Sequence, residues 1–213
     1  MSRSLYGITV AHFEARRATE LSSLIARHGG VPWSAPALSE VPVTPGVEGR
    51  AIIEELAAGN FQLVIFLTGI ATRRLFDEVA RVGRLDDVIA ASRRAVLVVR
   101  GPKPVPVLRE HGIKPTHLAP EPHTTTELLA TLDTLTVRGT RVLVLGGGEP
   151  NHELSASLRA RGARSVELRL HEWALSATDA ERIGETIDEI VAGRINAVLF
   201  TTQVQVRHLF EIA

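Results

Sequence analysis

Residues 6–35 read YGITVAHFEARRATELSSLIARHGGVPWSA, and this stretch decides the fold. Its first residues, 6–10, are mostly apolar and suit a short buried strand. Residues 14–27 then place Ala15, Ala18, Leu21, Leu24 and Ile25 at helical spacing. His28-Gly29-Gly30 stops that helix, because glycine takes the left-handed conformation that closes helix ends. A second apolar run follows at 31–35. Strand, helix and strand in so short a span form a βα-unit, whose strands are parallel.

The same alternation continues outward. Further strands are expected at 63–68, 95–99, 116–119, 141–145, 165–168 and 197–201. Leu108 and the stretches 128–132, 154–158, 183–190 and 206–210 mark helices between them. Two stretches break the rhythm: 37–43, bordered by Pro36, Pro42 and Pro45, and 168–175, LRLHEWAL. Proline-bordered extended segments suit a connector better than a central strand. The expected architecture is α/β: two Rossmann-like or flavodoxin-like lobes with parallel sheets, joined by a two-stranded connector. Lobe 1 is discontinuous, 1–36 with 176–213; lobe 2, 44–167, is inserted; 37–43 and 168–175 connect them. The segments 66–76, FLTGIATRRLF, and 200–210, FTTQVQVRHLF, share a strand–threonine–helix theme, one in each lobe.

Composition narrows the function. The 24 basic and 24 acidic side chains cancel, so no global field draws the chain to nucleic acid or an anionic membrane. The absence of cysteine excludes disulfides, iron–sulfur ligation, thiolate zinc and a cysteine nucleophile. The 8 histidines show no metal-ligand spacing, and no metal is expected. No apolar run reaches the ~20 residues of a membrane span, and no signal-peptide core precedes the first strand, so a cytoplasmic protein is predicted. A dinucleotide fingerprint begun at Gly146 fails because Asn151 stands where its last glycine belongs.

The candidate chemistry lies at strand ends. Thr68, Gly69 and Ile70, the turn at Gly101, Gly147 and Gly148, and Thr201 and Thr202 open helices where free amides and the helix dipole favour anions. Arg100 and Lys103, just after the strand 95–99, are the cations best placed for anion contact, ahead of Arg16 and Arg17. Arg73, Arg74, Arg93 and Arg94 are expected on solvated helix faces. His171, on the second connector, faces a cleft or solvent rather than a core.

In order and spacing, the segments GITVAHFEARRATELSSLIARHGG, VIFLTGIATRRLF, VVRGPKPVPVLREHGIKPTHLAPEPHTTTELL, VLVLGGGEPNHELSASLRARGA, LHEWAL and LFTTQVQVRHLFEIA resemble uroporphyrinogen-III synthase, particularly its actinobacterial and Thermus-like branch. The resemblance runs nearly the full chain. It implies two lobes facing across a cleft and a reaction needing neither metal nor organic cofactor: linear hydroxymethylbilane loses water, closes and inverts its last ring. It also implies that loops and backbone amides hold the carboxylates of this acidic tetrapyrrole, which here assigns Thr68, Gly69, Ile70, Arg100, Gly101, Lys103, Thr124, Gly147, Gly148, Thr201 and Thr202 to substrate binding. Family members carry a tyrosine on the second connector, followed by a basic residue; aligned through Trp173 these fall at His171 and Glu172. His171 is therefore the expected acid. The family continues beyond the segment ending at Ala213, so lobe 1 is expected to lack one or two βα units. Some relatives fuse a synthase-like domain to a DNA-binding winged helix, and the alternative function is the non-catalytic sensing domain of such a regulator, with nucleic acid touched only through the fused part. A monomer is expected.

Overall fold

A computed structural model of the protein describes residues 4–36, 39–148, 150–174 and 176–213. Ala37, Leu38 and Leu175 of the expected connector stretches, and Glu149 of the glycine turn, lie outside the described residues. The chain forms two compact units, one of Met1–Val41 with Trp173–Ala213 and one of Pro42–Glu172.

The first unit contains β1 (Thr9–His12), α1 (Ala18–Arg27), β2 (Val31–Ser34) and most of β3 (Ser39–Pro42). The second contains α2 (Val47–Ala57), β4 (Leu63–Phe66), α3 (Gly69–Arg81), α4 (Leu85–Arg94), β5 (Val96–Val99), α5 (Pro104–Glu110), β6 (His117–Leu118), α6 (Thr125–Asp133), β7 (Arg141–Gly146), α7 (His152–Ala160) and β8 (Arg164–Arg169). The chain then returns to the first unit through β9 (His171–Ala174), α8 (Ala177–Val191), β10 (Ala197–Leu199) and α9 (Gln203–Ile212). β3 and β9 pair as a two-stranded ribbon where the chain passes between units.

In the second unit five parallel strands lie in the order β6-β5-β4-β7-β8. Strand side chains alternate between faces, so the apolar runs supply two cores. Val64, Phe66, Leu97, Val99, Leu143 and Leu145 meet Ile53, Leu75, Val79 and Leu108 on one face. Leu63, Ile65, Val98, Val142 and Val144 meet Leu128, Leu132, Leu154 and Leu158 on the other. Each such side chain contributes about 1.5–3 kcal/mol by leaving water. The connections run one way from β4 and reverse at β7. The carboxyl ends of β4 and β7 therefore flank a topological switch point, where open α/β sheets bind ligands.

The first unit has a three-stranded parallel sheet, β10-β1-β2. Phe13 and Phe200 stack with ring centroids 5.1 Å apart beside buried Ile183 and Ala35. Trp33 Nε1 donates to Thr186 Oγ1 at 2.8 Å, and the Arg182 guanidinium lies 4.6 Å over the indole.

Several expected boundaries move. The first strand starts at Thr9, not 6, because the Ile8 amide donates to the Leu5 carbonyl in a turn through left-handed Gly7. The first helix starts at Ala18, not 14, because the Glu14 carboxylate takes the Arg16 and Arg17 amides at 3.1 and 3.2 Å. β8 spans Arg164–Arg169 in unbroken register with β7, longer than the expected 165–168. Helix α2 is an addition to the sequence reading, and α4, expected only as the helix face bearing Arg93 and Arg94, runs from Leu85 to Arg94.

Candidate anion-binding site

At the end of β4, Thr68 caps α3: its Oγ1 accepts the Ala71 amide at 3.1 Å, and its carbonyl accepts from Thr72. The amides of Gly69 and Ile70, in the first turn, meet no acceptor among the described residues. Gly69 is required here, since a Cβ would stand 2.7 Å from the Lys103 carbonyl oxygen of the neighbouring loop. That contact brings the β4 and β5 ends together, as does the Arg100 amide donating to Phe66 O at 3.0 Å.

Arg100 is half-buried, and desolvation by burial lowers its guanidinium pKa. No carboxylate among the described residues pairs with it. Other arginines of this unit are occupied: Arg73 with Glu110 at 2.8 Å, Arg84 with Glu54 at 2.6 Å, Arg161 with Asp133 at 2.7 Å. A cation withdrawn from water without a counter-charge is costly, which points to an anion supplied from outside. Lys103, exposed, stands just before α5. Gly101 lies under the His123 ring, where a Cβ would come within 3.3 Å of His123 Cβ. Thr124 caps α6 in a capping box with Glu127, its amide donating to Glu127 Oε2 at 2.9 Å.

The β7 end is filled by side chains. A Cβ on Gly146 would lie 2.2 Å from Glu167 Oε1, and one on Gly147 only 1.6 Å from His171 Cε1. Gly148 is left-handed and its amide donates to the His171 carbonyl at 3.1 Å. The glycine run thus seats Glu167 and His171. His171 is 1% exposed and lines a pocket of about 410 Å³ with Pro45, Gly46, Gly49 and Ile52. Glu167 Oε1 is buried with no hydrogen-bond partner among the described residues, and desolvation raises its pKa against the opposing pull of Arg169 and His152.

Thr201 and Thr202 belong to the first unit. Their amides donate to Gln205 Oε1 at 2.8 and 3.3 Å, and Gln205 is buried. Thr201 Oγ1 donates to Glu14 Oε2 at 2.6 Å, and this bond, with the Arg16 and Arg17 amides, holds Glu14 below the usual carboxyl range. His12, fully buried, bonds Ser22 Oγ through Nε2 at 2.8 Å; desolvation lowers its pKa although Glu14 opposes it.

The second unit therefore gathers Thr68, Gly69, Ile70, Arg100, Gly101 and Lys103 at adjoining ends of β4 and β5. Thr124, Gly147, Gly148 and His171 sit at other loops of that unit, and Thr201 and Thr202 in the first. Sequence reading missed Glu167, Gln205 and His123, whose roles come from burial and backbone conformation rather than spacing. Among the described residues no group of three or more His, Asp or Glu could hold a metal, and no helix is long and apolar enough to cross a membrane.

Comparisons with known proteins agree with one another. A family model described as uroporphyrinogen-III synthase HemD matches residues 19–213. An uncharacterized Bacillus subtilis protein, YjjA, is 32% identical over all of this chain and 77% of its own length. A Methanothermobacter thermautotrophicus protein, provisionally named uroporphyrinogen-III synthase, is 30% identical over 92% of this chain and 74% of its own. A crystal structure of mutant uroporphyrinogen III synthase from Thermus thermophilus superposes with TM-score 0.80 at 25% identity, covering 97% of this chain and 77% of that one.

Proposed function

Because the chain belongs to the uroporphyrinogen-III synthase family, we propose that it closes hydroxymethylbilane to uroporphyrinogen III with loss of water and inversion of the last ring. The observation carrying this reading is Arg100: a half-buried guanidinium without a protein carboxylate, next to the strand end where α3 opens with two free amides. A substrate bearing acidic side chains on every pyrrole ring supplies the missing counter-charge. The bound chain ends are then held in reach of each other, and oriented intramolecular reactions gain roughly 7–11 kcal/mol from such positioning.

His171 is the proposed acid. It lines the pocket beside α2, and imidazole is the side chain most often used as a general acid near neutrality. The proton leaves with the hydroxyl as water. The resulting azafulvene is attacked by the substituted carbon of the last ring, forming a spiro intermediate. That carbon's bond to its original methylene bridge then breaks. The azafulvene so formed is attacked by the free α-carbon of the last ring, which loses its proton to give the closed macrocycle with that ring inverted. No cofactor enters this scheme. The reading includes a cytoplasmic monomer; the absence of cysteine fits a reducing compartment.

Supplying hydroxymethylbilane and measuring uroporphyrin III against I after oxidation is the test. Predominant isomer III is expected; isomer I alone, the uncatalysed product, rejects the synthase reading. His171→Phe is expected to lower the rate of isomer III formation by about 100-fold. An unchanged rate removes His171 from the mechanism. One observation favours a second reading, a ligand-sensing domain without catalysis: His171 and Glu172 stand where the family has tyrosine and a basic residue. Tetrapyrrole binding with isomer I alone would support it.

A further inference from the structure

Resting on that reading, we propose that His123 and Arg100 form a two-point clamp for one substrate carboxylate, with His123 a specificity-determining residue. Three observations converge. His123 is the non-glycine residue with positive φ, 61°, among the described residues. A side chain in the left-handed region costs conformational energy and persists where surrounding structure holds it, often for function. The His123 Nδ1 lies 2.8 Å from the Ala119 carbonyl oxygen, which can only accept, so Nδ1 carries a proton and the ring is fixed in orientation. Nε2 has no partner among the described residues. The ring is seated on Gly101, the residue after Arg100, and any side chain there would push into it.

The opposing possibility is a plain turn residue. The His123 amide donates to Pro120 O at 2.9 Å, as a turn requires, but asparagine or glycine would satisfy that backbone at less cost. Histidine here makes sense when the imidazole is used. A carboxylate held by Arg100 would neutralise its half-buried charge, and the same carboxylate beside Nε2 favours a second proton on the ring, which makes Nε2 a charge-assisted donor in the complex. The two donors come from different loops, after β5 and after β6, and so define a direction for the bound group as well as its charge.

The test compares the wild type, His123→Gly, His123→Asn, Arg100→Gln and the His123→Gly/Arg100→Gln pair. Uroporphyrin III binding is followed by fluorescence titration, ring closure by kcat and KM, and folding by Tm. His123→Gly is expected to weaken uroporphyrin III about tenfold and to raise KM more than it lowers kcat. Strain relief and the lost imidazole bond act oppositely on stability, so Tm is expected to hold. Asparagine, which accepts the left-handed conformation and can donate, should recover part of the loss. The double variant should lose less than the sum of the single losses, because both residues hold one group. Unmoved titration and KM in His123→Gly overturn the clamp, as does a wild type that does not bind uroporphyrin III. Isomer I alone with a His123-dependent titration removes the synthase reading and keeps the clamp; isomer III with a His123-independent titration does the reverse.

Discussion

The segments 66–76 and 200–210 look alike in sequence, yet the helix openings they build differ. In the first unit, Gln205 in the first turn of α9 turns its carboxamide back onto the Thr201 and Thr202 amides, while Glu14 takes the Thr201 hydroxyl and the amides before α1. In the second unit the corresponding position is Ala71, which has no acceptor to offer. Thr68 caps only the Ala71 amide, leaving Gly69 and Ile70 open near an unpaired Arg100. The difference lies in what surrounds the opening: in the first unit Gln205 covers the amides just before the helix and Glu14 supplies a negative charge, whereas in the second unit the charge beside the opening is the unpaired Arg100. A half-buried cation without a counter-charge is kept at a stability cost, so the second unit is where an external anion has most to contribute.

The β7 opening of the second unit is the exception, being closed by His171 and Glu167 on glycines. Gly147→Ala attacks that closure and should have the largest effect. Its Cβ would overlap the His171 ring at 1.6 Å, and the buried imidazole has little freedom to withdraw. A loss of about 3 kcal/mol is expected in chemical denaturation, at the upper end for overpacking. A loss below about 1 kcal/mol, the low end of that range, would show that His171 is free to swing away, and the contrast between a closed β7 end and an open β4 end would fail.

Gln205→Ala converts the self-satisfied junction towards its open counterpart. Removing a buried acceptor from two amides, and a donor from the Thr201 hydroxyl oxygen, should cost about 2 kcal/mol, with little effect on ligand binding. Arg100→Gln should behave oppositely, holding or raising stability by up to about 1 kcal/mol while weakening the acidic ligand, because the wild-type cation gains no protein partner for its desolvation. Destabilisation by Arg100→Gln, read from the same denaturation curves, would mean that Arg100 serves the fold and that the two junctions are not different in kind.

Sequence pattern reaches the layer architecture more readily than the side-chain closures. LVIF at Leu63–Phe66 and VLVV at Val96–Val99 read as strands because both faces are buried, and no competing period obscures them. α2 is obscured because it opens on exposed Val47 and carries Gly49 in its first turns, which weakens a helical signal. Arg100 is legible as a cation after a strand, and that it lacks a partner is a property of three-dimensional neighbours. Glu14 acts through Thr201, 187 positions away, so nothing near either residue announces the link. His123 is one histidine among 8 until its backbone angle is known. The residues that distinguish the units are those whose meaning depends on contacts between loops.

The smallest effects concern two carboxyl groups that burial and hydrogen bonding move in opposite directions. Glu14 has its pKa depressed by the Thr201 hydroxyl and the backbone amides, so its stabilisation is present above the unfolded pKa and is lost as pH falls through the lower folded value. Glu167 has its pKa raised by desolvation, so the folded state is favoured relative to higher pH below the unfolded pKa, and that advantage is lost as pH rises through the folded value. Glu14→Gln should therefore cost about 1 kcal/mol at pH 7, with the cost shrinking below pH ~4 as the wild-type carboxylate is itself neutralised. Glu167→Gln should gain about 1 kcal/mol at pH 7, a gain that shrinks as pH falls through the raised folded value and is gone below the unfolded one, because the wild type is then already uncharged. Denaturation midpoints at both pH values test the pair. Equal signs at pH 7 would break the contrast between a unit that satisfies its carboxylate with donors and one that buries a carboxyl oxygen without them.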